Sequence, residues 1–317
     1  MLSVNRSALR LVKKLCEDAE EYGVKVKNTE SGATLIDAGI KDNGVILAGK
    51  IVTEICLGGL GKAEILWVPY GDLVLPSIFV YTDHPTVATL GSQLAGWSIK
   101  VETYFAMGSG PARALALKPK ELYEKIGYRD EAEEAVLALE TSKEPPEEVI
   151  THIANQCGVK TDNLFLILAP TTSITGSTQI SGRIVEQGTY RLMELGLDPR
   201  LITHGWGYAP IASVHPKFTE AMGRTNDALL YAGVAGYTVN YDDEEALKGI
   251  VNKAPSSSSK SYGRPFAEIF KEANYDFYQI DPGLFAPALL IVNNAKTGNS
   301  FKAGKINVEV LMKSLGI

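Results

Sequence analysis

Apolar residues recur along the chain at two different spacings, which predict an alternation of helices and strands. Residues 3–22 carry apolar side chains every three or four positions, as a helix with one buried face does. Ser3 is placed to cap the start of this helix, and Gly23 to end it in a left-handed conformation. Residues 24–27 and 33–38 have the short apolar runs of strands, and the polar turn between them predicts a hairpin.

The rest of the chain continues this alternation. The predicted strands are residues 51–57, 64–68, 73–81, 132–139, 163–169, 234–240, 289–293 and 299–302. The predicted helices are residues 85–96, 146–157, 178–195, 221–231, 242–253 and 307–315. Because strands and helices are interspersed and hairpins also occur, the pattern favours mixed α/β (α+β) layers over a regular doubly wound sheet.

The length of 317 residues corresponds to about two domains. We place a first α/β domain at residues 1–170 and a second at residues 171–317, with domains built from discontinuous segments as the alternative. The chain contains no repeat of fixed period. The expected fold class is therefore α/β with mixed α+β layers in two domains.

Composition and charge exclude several classes of protein. The chain has 45% hydrophobic and 21% charged residues, as soluble globular proteins do. Its net charge of −6 disfavours nucleic acid as the main partner, because phosphate binding depends on clustered Lys and Arg. No apolar run approaches the roughly 18 residues of a membrane span, and the N-terminus lacks the apolar core of a signal peptide. We therefore expect a cytoplasmic protein with no membrane partner.

Neither the cysteines nor the histidines have the spacing of a metal site. No CxxC pair occurs, and the odd number of cysteines argues against a disulfide framework, so we interpret them as buried apolar residues. No HxH or HxxxH pair occurs among the histidines. The residues concerned are Cys16, Cys56, Cys157, His84, His152, His204 and His215.

Two glycine-rich segments follow predicted strands, but neither has the spacing of a nucleotide-binding motif. Segment 56–61 does not match G-x-G-x-x-G, and segment 108–113 lacks the G-K-[ST] that ends a phosphate-binding loop. The small residues 108–110 would still let the backbone approach a ligand closely, and Arg113 adds a cation. A plain tight turn is the alternative interpretation.

A polar triplet, Asp83-His84-Pro85, lies at the end of another predicted strand. Its carboxylate and imidazole are groups that bind polar ligands. The alternative is that Asp83 caps a helix whose first turn contains Pro85.

The most suggestive segment surrounds Arg183 and Glu186. It begins with the small polar residues 171–179, which follow a strand of buried type and lead into a helix. Strand ends and helix starts are where α/β proteins build their pockets. Arg183 and Glu186 are three positions apart, so they share one face of the predicted helix. An exposed ion pair is the alternative, but the short polar surroundings favour a functional site.

Five long segments together resemble the methenyltetrahydromethanopterin cyclohydrolase family. They are TDHP (82–85), YFAMGSGPARALALKPKE (104–121), APTTSITGSTQISGRIVE (169–186), EAMGRTNDALLY (220–231) and YDFYQIDPGLFAPA (275–288). The resemblance extends in order along essentially the whole chain. It implies an enzyme, a hydrolase that interconverts the methenyl cation of the one-carbon carrier tetrahydromethanopterin and its N5-formyl derivative with water. It also implies a pterin substrate, no metal or redox cofactor, a homotrimer, and two α/β domains side by side with a cleft between them.

The resemblance assigns roles to individual residues of this chain. Glu186 matches the glutamate that deprotonates the attacking water and then protonates the leaving nitrogen, as one carboxylate can. Arg183 matches the family arginine, which would hold either this carboxylate or an oxygen of the tetrahedral intermediate. Asp83, Asn226 and Asp227 are expected to bind the pterin, and Arg113, Arg224 and loop 108–110 the acidic tail. The complete set expected to bind substrate is Asp83, His84, Gly108, Ser109, Gly110, Arg113, Ser177, Arg224, Asn226 and Asp227.

Two other functions remain alternatives at this point. Another one-carbon pterin enzyme could use the same scaffold and keep both Arg183 and Glu186. A tetrahydromethanopterin-binding protein without turnover would bind the carrier equally well after a Glu186→Gln change. A purely structural oligomer is disfavoured, because it has no physical need for polar strings such as MGSGPAR.

Overall fold

The chain is divided between two units, each assembled from two segments. The computed structural model describes residues 2–317, the side chain of Tyr278 excepted. Unit 1 contains the chain up to Lys62 together with Val87–Gln179, and unit 2 contains Ala63–Thr86 and Ile180–Ile317. The division predicted after residue 170 treats each domain as one continuous segment, whereas these units are discontinuous.

Strands and helices alternate along the described residues. The strands are β1 (Lys25–Asn28), β2 (Thr34–Asp37), β3 (Gly61–Tyr70), β4 (Leu73–Thr82), β5 (Trp97–Val101), β6 (Tyr104–Ser109), β7 (Ala135–Glu140), β8 (Leu164–Leu168), β9 (Ile202–Pro210), β10 (Val234–Val239), β11 (Leu289–Asn294) and β12 (Ser300–Gly304). The helices are α1 (Val4–Glu17), α2 (Ile46–Cys56), α3 (Ala112–Ala116), α4 (Lys120–Ile126), α5 (Glu147–Cys157), α6 (Ile174–Ser181), α7 (Ile184–Glu194), α8 (Phe218–Ala232), α9 (Glu244–Lys253), α10 (Phe266–Glu272) and α11 (Val308–Leu315). A π-helix, Thr86–Gln93, lies between β4 and β5.

The sheet of unit 1 has the strand order β1-β2-β8-β7-β6-β5. Its central strands β2, β8 and β7 run parallel, and antiparallel strands flank them on both sides. Alternate residues of a strand point to opposite faces, so Leu137 packs into one apolar cluster and Val136 into another. Helices α1 and α2 supply the cluster around Val136, and α5 supplies much of the other. The sheet therefore has apolar residues buried on both faces.

The sheet of unit 2 has the strand order β12-β11-β10-β9-β4-β3. Only β10 and β11 are parallel among the pairs with a described register, and the other pairs are antiparallel. Helix α7 packs against β4, β9 and β10. Helices α8, α10 and α11 share an apolar cluster that includes Leu230, Phe266 and Leu311. The mixed α/β fold class is thus confirmed in both units.

Most predicted elements are confirmed, with shifted ends. The hairpin of β1 and β2 forms, and Ser3 caps α1 by accepting a hydrogen bond from the backbone N–H of Arg6. Gly23 has a left-handed φ of 57°, but α1 itself already ends at Glu17. Residues 85–96 are helical, although the helix is of the π type. Strands β5, β6 and β9 were not predicted. None of the helices within residues 2–317 has the length and apolar character needed to cross a membrane.

The predicted strand over residues 51–57 is wrong, because this segment lies in helix α2. Its β-branched residues Ile51, Val52 and Thr53 favour a strand. From Ala48 onwards nearly every residue of α2 is buried, so no polar positions mark the helical period. A helix buried on all sides and a buried strand have the same apolar pattern over this length.

The single helix predicted over residues 178–195 is also wrong, because the chain breaks it at Gly182 and Arg183. Helix α6 ends at Ser181 and α7 begins at Ile184. Glycine is a poor helix former, so Gly182 favours a break at this point. Arg183 therefore occupies the capping position of α7 instead of a place inside a helix.

Gly176→Ala and Gly249→Ala separate packing from helix propensity, since both glycines lie inside helices. A β-carbon on Gly176 would overlap the carbonyl of Pro170, whereas nothing lies within 4 Å of one on Gly249. We expect Gly176→Ala to lower the free energy of unfolding by roughly 1–3 kcal/mol. We expect Gly249→Ala to raise it by about 0.5–1 kcal/mol. Urea denaturation followed by circular dichroism measures both, and two changes of the same sign would contradict this packing.

Candidate active site

A buried ion pair lies at the start of helix α7. Glu186 is in the first turn of α7 and is only 7% exposed. Arg183, at the capping position, brings its Nη1 to 3.9 Å from Oε2 of Glu186. The unpaired N–H groups at a helix start carry partial positive charge, so the helix and the guanidinium both place positive charge beside Glu186.

The first turn of α7 lies close to the sheet because β9 has two glycines beneath it. A β-carbon on Gly205 would lie 2.9 Å from Cγ1 of Val185, and one on Gly207 would lie 3.0 Å from Cγ2 of Ile184. Protein interiors are packed too densely to absorb such atoms without movement. The glycines therefore fix how near the backbone of Glu186 sits to the strands.

A second pair joins Asp83 to His204. Asp83 follows β4, and His204 lies in β9, whose antiparallel register sets Thr82 opposite Gly205. Oδ1 of Asp83 and Nδ1 of His204 are 2.7 Å apart. In the neutral ring, a proton on Nδ1 would bond to the carboxylate and leave Nε2 as an acceptor. Both side chains are exposed enough to reach a ligand.

The sequence analysis assigned no role to His204, because the histidines have no informative spacing. Knowledge of the antiparallel register of β4 and β9 would have placed it beside Asp83. The neighbouring His84 is exposed, and its backbone N–H donates to Oγ1 of Thr82 at 3.0 Å. The turn after β4 is thus held by Thr82, and the described hydrogen bond of the Asp83 carboxylate is to His204.

Helix α8 carries three of the predicted residues on different sides. Arg224 is half-buried, and its Nη1 donates to Oγ of Ser213 at 3.0 Å. Asn226, also half-buried, donates from Nδ2 to the carbonyl of Met222 one turn earlier, at 2.9 Å. Asp227, unlike Arg224 and Asn226, is fully buried.

Asp227 ties α8 to α10 and α11. Its two carboxylate oxygens accept hydrogen bonds from the backbone N–H of Phe266 at 2.9 and 3.0 Å. Oδ2 also accepts from Oγ of Ser314 at 2.6 Å. Burial raises the pKa of Asp227 to about 7, although the bonds from Ser314 and Phe266 lower it, and Glu268 raises it slightly. The described contacts of this carboxylate are thus with helices of the same unit.

Unit 1 contains the predicted glycine-rich loop at the end of β6. The hydroxyl of Ser109 donates to the carbonyl of Gln93 at 2.6 Å, and the N–H of Gly110 donates to that of Ser92 at 2.9 Å. Gly110 has a φ of 112°, which favours glycine. A β-carbon on Gly108 would lie 3.2 Å from the carbonyl oxygen of Trp97. The small residues therefore bring this loop close to the end of the π-helix.

The two other candidates in unit 1 are also buried. Arg113, in α3, donates from Nε to the carbonyl of Lys118 at 2.9 Å and from Nη1 to that of Ser92 at 3.0 Å. Its guanidinium also lies 5.7 Å from the ring centre of Tyr123. Ser177 is buried within α6. Within residues 2–317, no three His, Cys, Asp or Glu side chains come together so that they could hold a metal ion.

The buried carboxylate of Glu186 beside a guanidinium is a group of the kind that can accept and return a proton, so the mixed α/β fold and this site define the protein as a candidate enzyme. A sequence model of the family described as Cyclohydrolase (MCH) matches residues 3–315. The methenyltetrahydromethanopterin cyclohydrolase of Methanocaldococcus jannaschii is 50% identical over 319 residues, covering 100% of this chain and 99% of the relative. The proteins of the same name from Methanothermobacter marburgensis and Methanococcoides burtonii are 48% and 46% identical, covering 100% of this chain and 100% and 99% of the relatives. The chain belongs to the methenyltetrahydromethanopterin cyclohydrolase family, and the resemblance of its motifs is confirmed.

The buried carboxyl of Asp227 makes the stability of the fold depend on pH. Because its pKa rises from 3.8 to about 7 on folding, the native state holds its proton more tightly than the unfolded state does. The stabilisation is complete below about pH 4 and is lost as pH rises towards about 7. We expect the free energy of unfolding to fall over this window by up to about 4 kcal/mol relative to Asp227→Asn.

Urea denaturation of the native protein and of Asp227→Asn between pH 4 and pH 8 measures this difference. Ser314→Ala removes a hydrogen bond that lowers the pKa of Asp227, so it should move the upper end of the window to higher pH. Parallel pH curves for the native protein and Asp227→Asn would contradict the expected titration.

Proposed function

We propose that this protein interconverts 5,10-methenyltetrahydromethanopterin and N5-formyltetrahydromethanopterin with water. The observation that carries the proposal is the buried Glu186 beside Arg183 at the start of α7. Membership of the family and full-length relatives of that name support it. A carboxylate held away from bulk water is suited to accept a proton and return it.

The substrate itself supplies the electrophile. Its methenyl carbon is bonded to two nitrogens and shares their positive charge, so water can attack it without a metal or a redox cofactor. Glu186 accepts one proton as the water oxygen bonds to this carbon. The resulting carboxylic acid returns the proton to N10 as the carbon–N10 bond breaks. The second proton of the water leaves as the formyl C=O forms, so the forward reaction releases one proton overall.

Arg183 would act on this reaction through its fixed positive charge. In the free site, its charge favours the ionised form of Glu186, which is the form that can accept a proton. During the reaction, its planar group of N–H donors could also hold the oxygen of the tetrahedral intermediate. Both actions require the guanidinium to remain beside the first turn of α7.

The polar groups with some exposure are our candidates for binding the carrier. Asp83 and Asn226 have the carboxylate and amide groups that a pterin ring requires, and Arg224 has the charge for an acidic tail. His84 lies next to Asp83 in sequence and is exposed. For the buried candidates we propose a supporting role, in which each holds the backbone of its own unit; they are Gly108, Ser109, Gly110, Arg113, Ser177 and Asp227.

Glu186→Gln keeps the size of the side chain but removes its ability to carry a proton. We expect kcat to fall by about 10²–10⁴-fold, with KM changed little, because general acid–base catalysis contributes this much. Loss of the methenyl absorbance, followed optically with the purified protein, measures both constants. Methenyltetrahydrofolate serves as the comparison substrate for carrier specificity.

Glu194→Gln is the matched control, since Glu194 is an exposed glutamate two turns further along the same helix. It should leave kcat and KM unchanged. A Glu186→Gln variant as fast as the native protein would show that another group moves the proton. A native protein that binds the carrier but never changes its absorbance would indicate a binding protein instead.

We further propose that the protein is a cytoplasmic homotrimer, as the family resemblance implies. The surface of unit 2 supports an association of chains, because its edge strand β3 has Trp67 72% exposed and Leu66 also in solvent. An edge strand offers unpaired backbone groups, and large exposed apolar side chains beside it mark an interaction surface.

Sedimentation velocity tests this state of association. We expect a mass three times the 34.2 kDa of one chain for the native protein. Trp67→Glu should shift the protein to smaller species, because a charge would be buried in the interface. Phe105→Glu is the control, since Phe105 is 59% exposed but lies on β6 in unit 1. A native mass of one chain would contradict the proposal.

A further inference from the structure

Tyr237 makes a buried hydrogen bond to the backbone next to Glu186. Tyr237 lies in β10, on the side of the sheet that faces α7, and it is almost completely buried. Its hydroxyl donates to the carbonyl oxygen of Val185 at 2.7 Å. The same carbonyl also accepts from Oγ1 of Thr189, at 2.8 Å. This carbonyl belongs to the peptide that joins Val185 to Glu186, so the hydroxyl of Tyr237 ties that peptide to the sheet, while Thr189 bonds it from within the helix.

Helix α7 has a glycine, Gly188, at the point where the hydroxyl of Tyr237 approaches it. A β-carbon on Gly188 would overlap the hydroxyl of Tyr237 and would lie 2.9 Å from its Cζ. Glycine is the least favourable residue inside a helix after proline, so its presence in the middle of α7 has a cost that the close contact offsets. On the side of the strands, a β-carbon on Gly205 would lie 3.5 Å from Cδ1 of Tyr237.

The hydroxyl of Tyr237 is also kept in its protonated form, which can donate a hydrogen bond. Burial raises the pKa of Tyr237, and the nearby negative charge of Glu186 raises it further, so the phenol does not ionise. Its hydrogen bond therefore runs from the phenol to the carbonyl of Val185.

We propose that Tyr237 is a positioning residue, which holds the backbone of Glu186 so that the carboxylate reaches the reacting atoms; this inference rests on the proposed function. Glu186 is attached to the peptide that Tyr237 holds, and the other described side-chain hydrogen bond to that peptide comes from Thr189 of α7 itself, so Tyr237 supplies the described side-chain bond from the sheet. Misplacement of a catalytic group by about 1 Å can cost about 10²-fold in rate. A phenylalanine at position 237 would fill the same space without the hydrogen bond that ties this peptide to the sheet.

Tyr237→Phe should lower kcat about tenfold or more with KM little changed, since misplacement of a catalytic group affects the reaction more than binding. Tyr231→Phe is the matched control. Tyr231 is fully buried in the same unit, and its hydroxyl donates to the carbonyl of Arg264 at 2.6 Å. Both variants lose a hydrogen bond to a backbone carbonyl, and Tyr231→Phe also loses the bonds that its hydroxyl accepts from the N–H groups of Gly263 and Arg264. The control therefore loses at least as much, but only the carbonyl bonded by Tyr237 adjoins Glu186. Gly188→Ala, which displaces the hydroxyl of Tyr237, should reproduce the loss of kcat.

A double-mutant cycle with Glu186→Gln decides whether Tyr237 acts through Glu186. In the Glu186→Gln background, Tyr237→Phe should cause no further loss of rate. Equal losses in Tyr237→Phe and Tyr231→Phe, or a Tyr237→Phe loss of the same size in both backgrounds, would overturn the inference while leaving Glu186 as the proton carrier. Full activity of Glu186→Gln would instead show that another group moves the proton and would overturn the inference as well, whereas a native protein without turnover would overturn the proposed function.

Discussion

Helix α7 can lie close to the sheet of unit 2 only because glycines leave room for it. Gly205 and Gly207 remove side chains from β9 where β-carbons would meet Val185 and Ile184, and Gly188 removes one from the helix itself. Packing at this density transmits a change of one carbon to the backbone. The position of the first turn of α7, and with it the carboxylate of Glu186, therefore depends on three missing side chains. The space that these glycines leave is therefore a condition for the position of the charged groups of Arg183 and Glu186.

The same glycines explain why part of the fold could not be predicted. Helix α5 could be found from the sequence by its apolar spacing, and β8 by its short continuous apolar run. Strand β9 reads ITHGWGYAP, in which glycines stand where β-branched residues usually mark a strand. Helix α2 failed for the opposite reason, because it is apolar nearly all round. The glycines that make β9 hard to predict are the same ones that support the candidate site. Residues at functional sites are expected to break local sequence rules in this way.

The candidate site could be predicted where its residues are close in sequence. Arg183 and Glu186 are three positions apart, and their small polar surroundings distinguish them from an exposed ion pair. Asp83 and His204 are 121 positions apart and meet only through the register of β4 and β9. Asp227 shows the converse difficulty, because a sequence does not reveal which side of α8 faces its neighbouring helices. A carboxylate that ties helices together has the same sequence pattern as one that binds a ligand.

The division of each unit into two segments also orders events during synthesis of the chain. Strands β3 and β4 leave the ribosome before most of unit 1, yet the partner of β4, strand β9, begins only at Ile202. An isolated two-stranded hairpin is at best marginally stable in water. The hairpin of β3 and β4 therefore lacks the neighbouring strand β9 until the whole of Val87–Gln179 and β9 itself have been made. Because domains fold as units in the order of their synthesis, unit 1 is complete and folds before unit 2 can close its sheet.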